Sequence, residues 1–367
     1  MTKQSQKGGD GSTNIQTDKM IVNVGIDEKR AREIYQEMNL QLRKDYSQEA
    51  LDIANKRVSE FENRLMPKME EVDGALEAFA DPSFQLLLVE AQKTAASTER
   101  PADYDLLSEL LIHRFEKGEN RYTRAGISRA VEIVDEISDD ALLGLTVSHA
   151  VTYFSPTSGD VHQGLNVLDD LFGKIIYGKL PVGSDWLDHL DILDAARFSS
   201  FGNLKTIQQY YPEIVNGYVE VGIEKNSENY DKAIEILKSD NLPQTILVDH
   251  AFNGDFVRIE VPNKKQLNSF ALNKPIQHSG KMIIHSIPLS EEQITAINSV
   301  YKLYKQDGKI KQENTKLFME EWDKRQNLKT LREWWDNIGT SFQLTTVGKV
   351  LAHSNAQRCD KSLPPLN

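Results

Sequence analysis

A chain of 367 residues, 39% hydrophobic and 8% aromatic, is long enough to bury two or three cores of ordinary size. Its formal charge of -12 excludes a general role in coating nucleic acid or anionic membrane, since both demand a positive surface, although a local basic patch remains compatible with it. The single cysteine, Cys359, excludes an internal disulfide; with no signal-peptide pattern and no apolar run of about 18 residues, the expected location is the cytoplasm, off the membrane.

Residues 1–27 open with Gly8-Gly9-Asp10-Gly11, a strong turn signal, followed by Ile15, Ile21, Val22 and Val24. These β-type residues predict a short arm of two small strands, which has no core of its own and must pair with something else. From Glu28 to 66 the spacing turns helical. Ala31, Ile34, Tyr35, Met38 and Leu42 fall three or four apart, as do Ala50, Ile53, Ala54, Val58, Phe61 and Leu65, predicting one long amphipathic helix or two in series.

Pro67 and Asp81-Pro82 read as breaks, and residues 67–240 read as a helical bundle. Segments such as YDLLSELLIHRFEKG and DDALLGLTVSHAVTYF carry apolar residues at helical spacing, with Asp81, Asp103, Thr123 and Ser138 as expected caps. SPTSGD, at 155–160, reads as a loop. Near Asn241 the character shifts: FVRIEV and KMIIHSIPLS alternate as strands do, while EEQITAINSVYKLYKQ and the run from Lys311 to Ile338 return to helix. The expected fold class is therefore mainly α, a bundle with an N-terminal β arm and a smaller α+β domain over 241–367. A soft boundary falls at about 223–243.

The most catalytic-looking cluster is SDWLDHLDILDAAR. In a helix Asp185 and His189 lie four apart with Asp188 between them, a spacing that suits a metal-dependent hydrolase. The competing reading makes Asp185 a helix-start acid and Trp186, Leu187, Leu190 and Leu193 a buried stripe. His113 with Glu116 reads as an acid/base pair or as a solvated helix face. His149, His250, His278, His285 and His353 are scattered, and there is no serine elbow, P-loop or dinucleotide fingerprint, so no cofactor is expected. Cys359 sits beside Arg358 and Lys361, which favour a lowered thiol pKa.

Charge is unevenly spread. Residues 301–361 hold twelve Lys and Arg against eight Asp and Glu, about +4, which leaves -16 for the rest. The stretch NLKTLREWWDNIGTSFQLTTVGKVLAHSN has the order helix, short strand, threonine-capped helix, as at the end of a winged-helix unit, with Arg332 and Lys349 as candidate nucleic-acid contacts. The alternative is a basic helix docked on the acidic body, with Trp334, Trp335 and Phe342 as core.

The opening GGDGSTNIQTDKMIVNVG resembles the G-D-x-S-x-N-I-Q segment of a largely uncharacterised bacterial family associated with phage-defence loci, with Gly11 where that family often has Asn. FQLTTVGKVLAHSN resembles the same family's closing element. YDLLSELLIHRF through SRAVEIVDEISDDALLGL is more remotely similar to the abortive-infection proteins termed Abi-alpha. The resemblance implies a self-assembling scaffold or sensor in antiviral defence, a homo-oligomer joined through Ile15, Ile21, Val22 and Val24 by strand addition, presenting its body to a protein partner. It supplies no catalytic residues.

Overall fold

The computed structural model describes residues 26–42, 48–118, 120–198, 202–278 and 281–366. In chain order it runs α1 (Glu28–Leu42), α2 (Gln48–Glu71), α3 (Pro82–Ser97), α4 (Pro101–Lys117), α5 (Arg121–Glu132), α6 (Asp139–Tyr153), α7 (Val161–Ile175), α8 (Asp185–Ile192), β1 (Ala196–Phe198), α9 (Ile207–Ile214) and α10 (Asn216–Val219). An α+β portion follows, with β2 (Ile223–Glu224), α11 (Glu228–Ser239), β3 (Leu247–Asp249), β4 (Phe256–Ile259), β5 (Ala271–His278), β6 (Lys281–Pro288) and α12 (Glu291–Tyr301). The chain ends with α13 (Gly308–Asp323), α14 (Gln326–Asp336), β7 (Phe342–Leu344) and α15 (Thr346–Cys359). The fold is mainly helical, a bundle with small antiparallel sheets.

Local chemistry starts several helices where the sequence indicates. The Asp81 carboxylate accepts from the Phe84 amide at 2.8 Å, with Pro82 at the first helical position, and Ser138 and Thr345 cap α6 and α15 in the same way. Two expected caps lie inside their helices instead. Asn120 rather than Thr123 caps α5, and Asp103 sits in the first turn of α4 behind Arg100. Pro67 does not break the chain either; it lies within the final turns of α2, whose Val58, Phe61, Leu65 and Met66 are buried.

Two hydrophobic cores organise the chain. One joins Ala31 through Val219 with Phe318, Trp322, Leu328, Leu331 and Val350–Ala356; the other spans Ile223 to Tyr304. This corrects the expected division. The α+β portion is an insertion over 223–304 and does not run to 367, because α13, α14 and α15 bury their apolar residues in the bundle.

The expected helix, strand, capped helix order at the C-terminus is present, but its strand pairs with β1, in register Ala196↔Leu344 to Phe198↔Phe342. α15 is buried from Val350 to Ala356 and packs on α4, α5, α6 and α7. From Val350 to Ala356 this is a bundle-centre helix, and only its first turn, with Lys349, is open to solvent.

Insertion and bundle are joined by Arg258 of β4, which is 1% exposed. Its guanidinium donates to the carbonyls of Gly159 and Ile259 and lies 5.5 Å from the Tyr218 ring centroid. Beyond this junction the insertion extends the β5–β6 hairpin. Its eight paired positions run from Ala271↔Pro288 to His278↔Lys281, and it shares no sheet with any other strand among the described residues.

Candidate functional site

The densest chemistry in the described chain lies where α4, α6 and α15 meet beneath the C-terminal tail. These helices contribute His113, His149 and His353, which are 2%, 2% and 0% exposed. His149 Nε2 lies 3.2 Å from His353 Nδ1, and His353 Nε2 lies 3.0 Å from the Pro364 carbonyl. His113 Nδ1 meets the Ser354 hydroxyl at 2.9 Å and its Nε2 meets Gln357 Oε1 at 2.6 Å. Tyr153 and Phe154 close the cluster with ring contacts to both His149 and His353.

These contacts fix the tautomers. A carbonyl only accepts, so His353 Nε2 carries a proton and, in the neutral ring, Nδ1 is left to accept from His149 Nε2–H. The Gln357 amide donates to the carbonyls of Leu363 and Pro364 at 3.3 Å, which turns its oxygen toward His113; that ring therefore carries its proton on Nε2 and accepts from Ser354 on Nδ1. Burial holds all three rings neutral. It lowers His149 to about 3, with His353 and Lys349 adding to the effect, and lowers His353 to about 4 despite the Pro364 carbonyl; His113 is lowered for the same reason. The arrangement is a latch that fastens residues 360–366 to the bundle.

Beside the latch lies a cavity of about 760 Å³. Phe154, Leu168 and Leu171 supply apolar wall, Leu363 and Pro364 of the tail close one side, and Gln266 of the insertion closes another. At its rim the Lys174 ammonium meets Asp360 at 2.8 Å, which ties α7 to the tail.

The residues singled out from sequence are placed differently. Asp185 and Asp188 are exposed on α8, and His189 Nε2 accepts from the Ser138 amide at 3.2 Å, where it helps to start α6. Among the described residues no three His, Cys, Asp or Glu side chains converge to hold a metal ion. Replacing His189 with alanine is expected to cost about 1 kcal/mol by leaving the Ser138 amide unmet, a loss readable as a lower urea midpoint.

Arg332 forms a two-pronged pair with Asp323, at 2.8 and 2.6 Å, so its planar face is already used. Lys349 is exposed on the first turn of α15. His113 is buried on the latch rather than paired with Glu116 on a solvated face, and burial raises the Cys359 thiol although Arg358 pulls the other way. Ile15, Ile21, Val22 and Val24 lie outside the described residues.

A family model described only as ":-like" matches residues 25–363. No curated protein and no solved structure matches the chain.

Proposed function

The chain belongs to the family matched over residues 25–363, and from that premise we propose that it is a self-assembling cytosolic scaffold with a sensing site under its C-terminal tail, serving bacterial anti-phage defence with a protein partner. The observation that carries the assembly reading is the β5–β6 hairpin, whose two outer edges have no strand neighbour among the described residues. Open edges of this kind accept a further strand, and the β-type run at Ile15, Ile21, Val22 and Val24 has the residue chemistry to provide one from a second copy. The sensing reading is supported by three imidazoles engaged in fastening a tail rather than left free for proton transfer. The defence role is supported by the resemblance of the opening and closing segments alone.

The nucleic-acid reading has weaker geometric support, since Arg332 is engaged by Asp323 and α15 is enclosed from Val350 to Ala356. Light scattering tests assembly directly. The full chain is expected to run as a defined oligomer, and a chain beginning at Gly25, or one with residues 273–286 replaced by a glycine-serine loop, as a monomer. An unchanged mass in both variants rejects assembly through strands.

A further inference from the structure

On the insertion, the described residues leave a groove open between two helices. α11 and α12 lie antiparallel: Gln293 at the start of α12 donates to the Asp240 carbonyl at the end of α11, at 3.3 Å, and Asn229 at the start of α11 donates to the Leu303 carbonyl just past α12, at 3.2 Å. The groove between them holds about 880 Å³, with Ile236, Ala296 and Leu303 as apolar floor. Glu235, Asp240, Glu291 and Glu292 stand along it.

The charges say what the groove suits. Among the described residues no ammonium or guanidinium pairs with any of these four carboxylates, and the one cationic side chain of the wall, Lys232, is held by Glu228 at 2.6 Å. Glu292 accepts from the Ser290 hydroxyl at 2.8 Å, a neutral donor that leaves its charge unbalanced. Such a wall repels nucleic acid and anionic lipid, and its acids do not converge to hold a metal ion. Its complement is a cation long enough to follow the groove and apolar enough to cover the floor. Because the backbone groups of both walls are hydrogen-bonded within α11 and α12, an extended segment would find no main-chain partners here, whereas a helix satisfies its own. Every described helix of this chain already buries apolar residues in one of the two cores, so a second copy has no free stripe to offer.

We propose that the groove between α11 and α12 receives a basic amphipathic helix of the protein partner, its apolar stripe on Ile236, Ala296 and Leu303 and its lysines or arginines against Glu235, Asp240, Glu291 and Glu292. The inference rests on the reading that the chain works with a protein partner. It adds that partner's chemistry. The floor supplies burial and the exposed acids supply steering and orientation, so binding weakens as salt screens them.

The test titrates the full chain into a labelled synthetic peptide of about 14 residues, with leucines on one helical stripe and lysines flanking it, and follows fluorescence anisotropy at low salt. The lysine peptide is expected to bind with a Kd of order 10 μM, and its glutamate counterpart and a scrambled lysine peptide of the same composition at least about tenfold more weakly. Glu235→Lys with Glu291→Lys is expected to cost at least about tenfold, whereas Asp52→Lys with Glu136→Lys, exposed acids of the bundle whose reversal changes the net charge equally, leaves the affinity within about twofold. Thr295→Trp, at an exposed position on the groove wall, is expected to fill the groove and abolish binding with helical circular dichroism unchanged. Equal binding of the ordered and scrambled lysine peptides, equal losses in the two double variants, or no binding of the lysine peptide each overturns the proposal. So does displacement of the lysine peptide by a peptide of residues 1–24, which would make the occupant this chain's own arm. Failure here leaves the light-scattering prediction untouched, and a monomeric full chain that still binds the lysine peptide rejects only the assembly reading.

Discussion

Gly348→Ala is expected to destabilise the protein by about 3 kcal/mol, the upper part of the range for forcing extra atoms into a packed core. Gly348 lies in the first turn of α15, and a Cβ built there would sit 1.9 Å from the Ala195 carbonyl oxygen and 2.8 Å from its carbonyl carbon. The obstacle is backbone, not the end of a flexible side chain. Ala195 cannot retreat easily, because its carbonyl accepts from the Thr345 amide at 3.1 Å and the next residue begins the β1–β7 ladder. Nor can α15 shift the other way: Gly126 of α5 already faces Thr346, where an added Cβ would come within 2.6 Å of Thr346 Cγ2. Urea denaturation followed by helical circular dichroism checks this, with a lowered midpoint and an unchanged slope expected. A loss below about 0.5 kcal/mol would show that the helix slides freely, contrary to the packing described.

That prediction was out of reach of the sequence, and the reason is instructive. Where a helix buries one stripe, spacing alone finds it: Val58, Phe61 and Leu65 of α2 were legible at once. α15 buries Ser354, Asn355 and His353 along with its apolar residues, so it lacks a stripe and reads as the last helix of a winged-helix unit. Its flanking strand misled in the same direction. β7 follows α14 closely and suggests a local unit, yet it pairs with β1, and neither residue type nor spacing reveals a partner so distant. The histidines show this limit most clearly. His113 and Ser354 are 241 positions apart and His149 and His353 are 204 apart, so His149 and His353 looked isolated and His113 looked paired with Glu116 until the bundle closed around them. His189 had a visible neighbourhood on its own helix, but its acceptor role toward Ser138, 51 residues away, depends on how α8 packs against α6. Capping signals survived because they are local, as at Asp81, Ser138 and Thr345.

Acid is expected to weaken the fold steeply between pH 7 and pH 5, through the buried imidazoles. An unconstrained histidine takes up its proton near pH 6.5. Burial holds His149 near 3 and His353 near 4, lowers His113, and lowers His250 of the insertion to about 4, the last despite its bond to the Glu220 carbonyl. For groups lowered in this way the unfolded chain binds the extra protons, so the stabilisation is complete above pH 6.5 and falls as the pH drops toward the folded values. At pH 5 each ring whose folded value lies below 5 has forfeited about 2 kcal/mol, set by the distance from 6.5 and insensitive to how low the folded value is. Against a total stability of order 5–15 kcal/mol, the three such rings, His149, His353 and His250, bring unfolding within reach near pH 5. Urea midpoints at pH 7, 6 and 5 measure this, and His149→Gln supplies the control. Its amide can still donate to His353 Nδ1 but does not titrate, so a shallower pH slope is expected; a slope equal to that of the unsubstituted chain would remove His149 from the account. The tail should respond before the body does. A proton on His353 Nδ1 sets two donors against each other, His353 Nδ1–H and His149 Nε2–H, and His353 is the ring that holds the Pro364 carbonyl. Amide exchange at residues 360–366 is therefore expected to accelerate at a higher pH than exchange within α6, and simultaneous acceleration of both would show that the latch has no separate release.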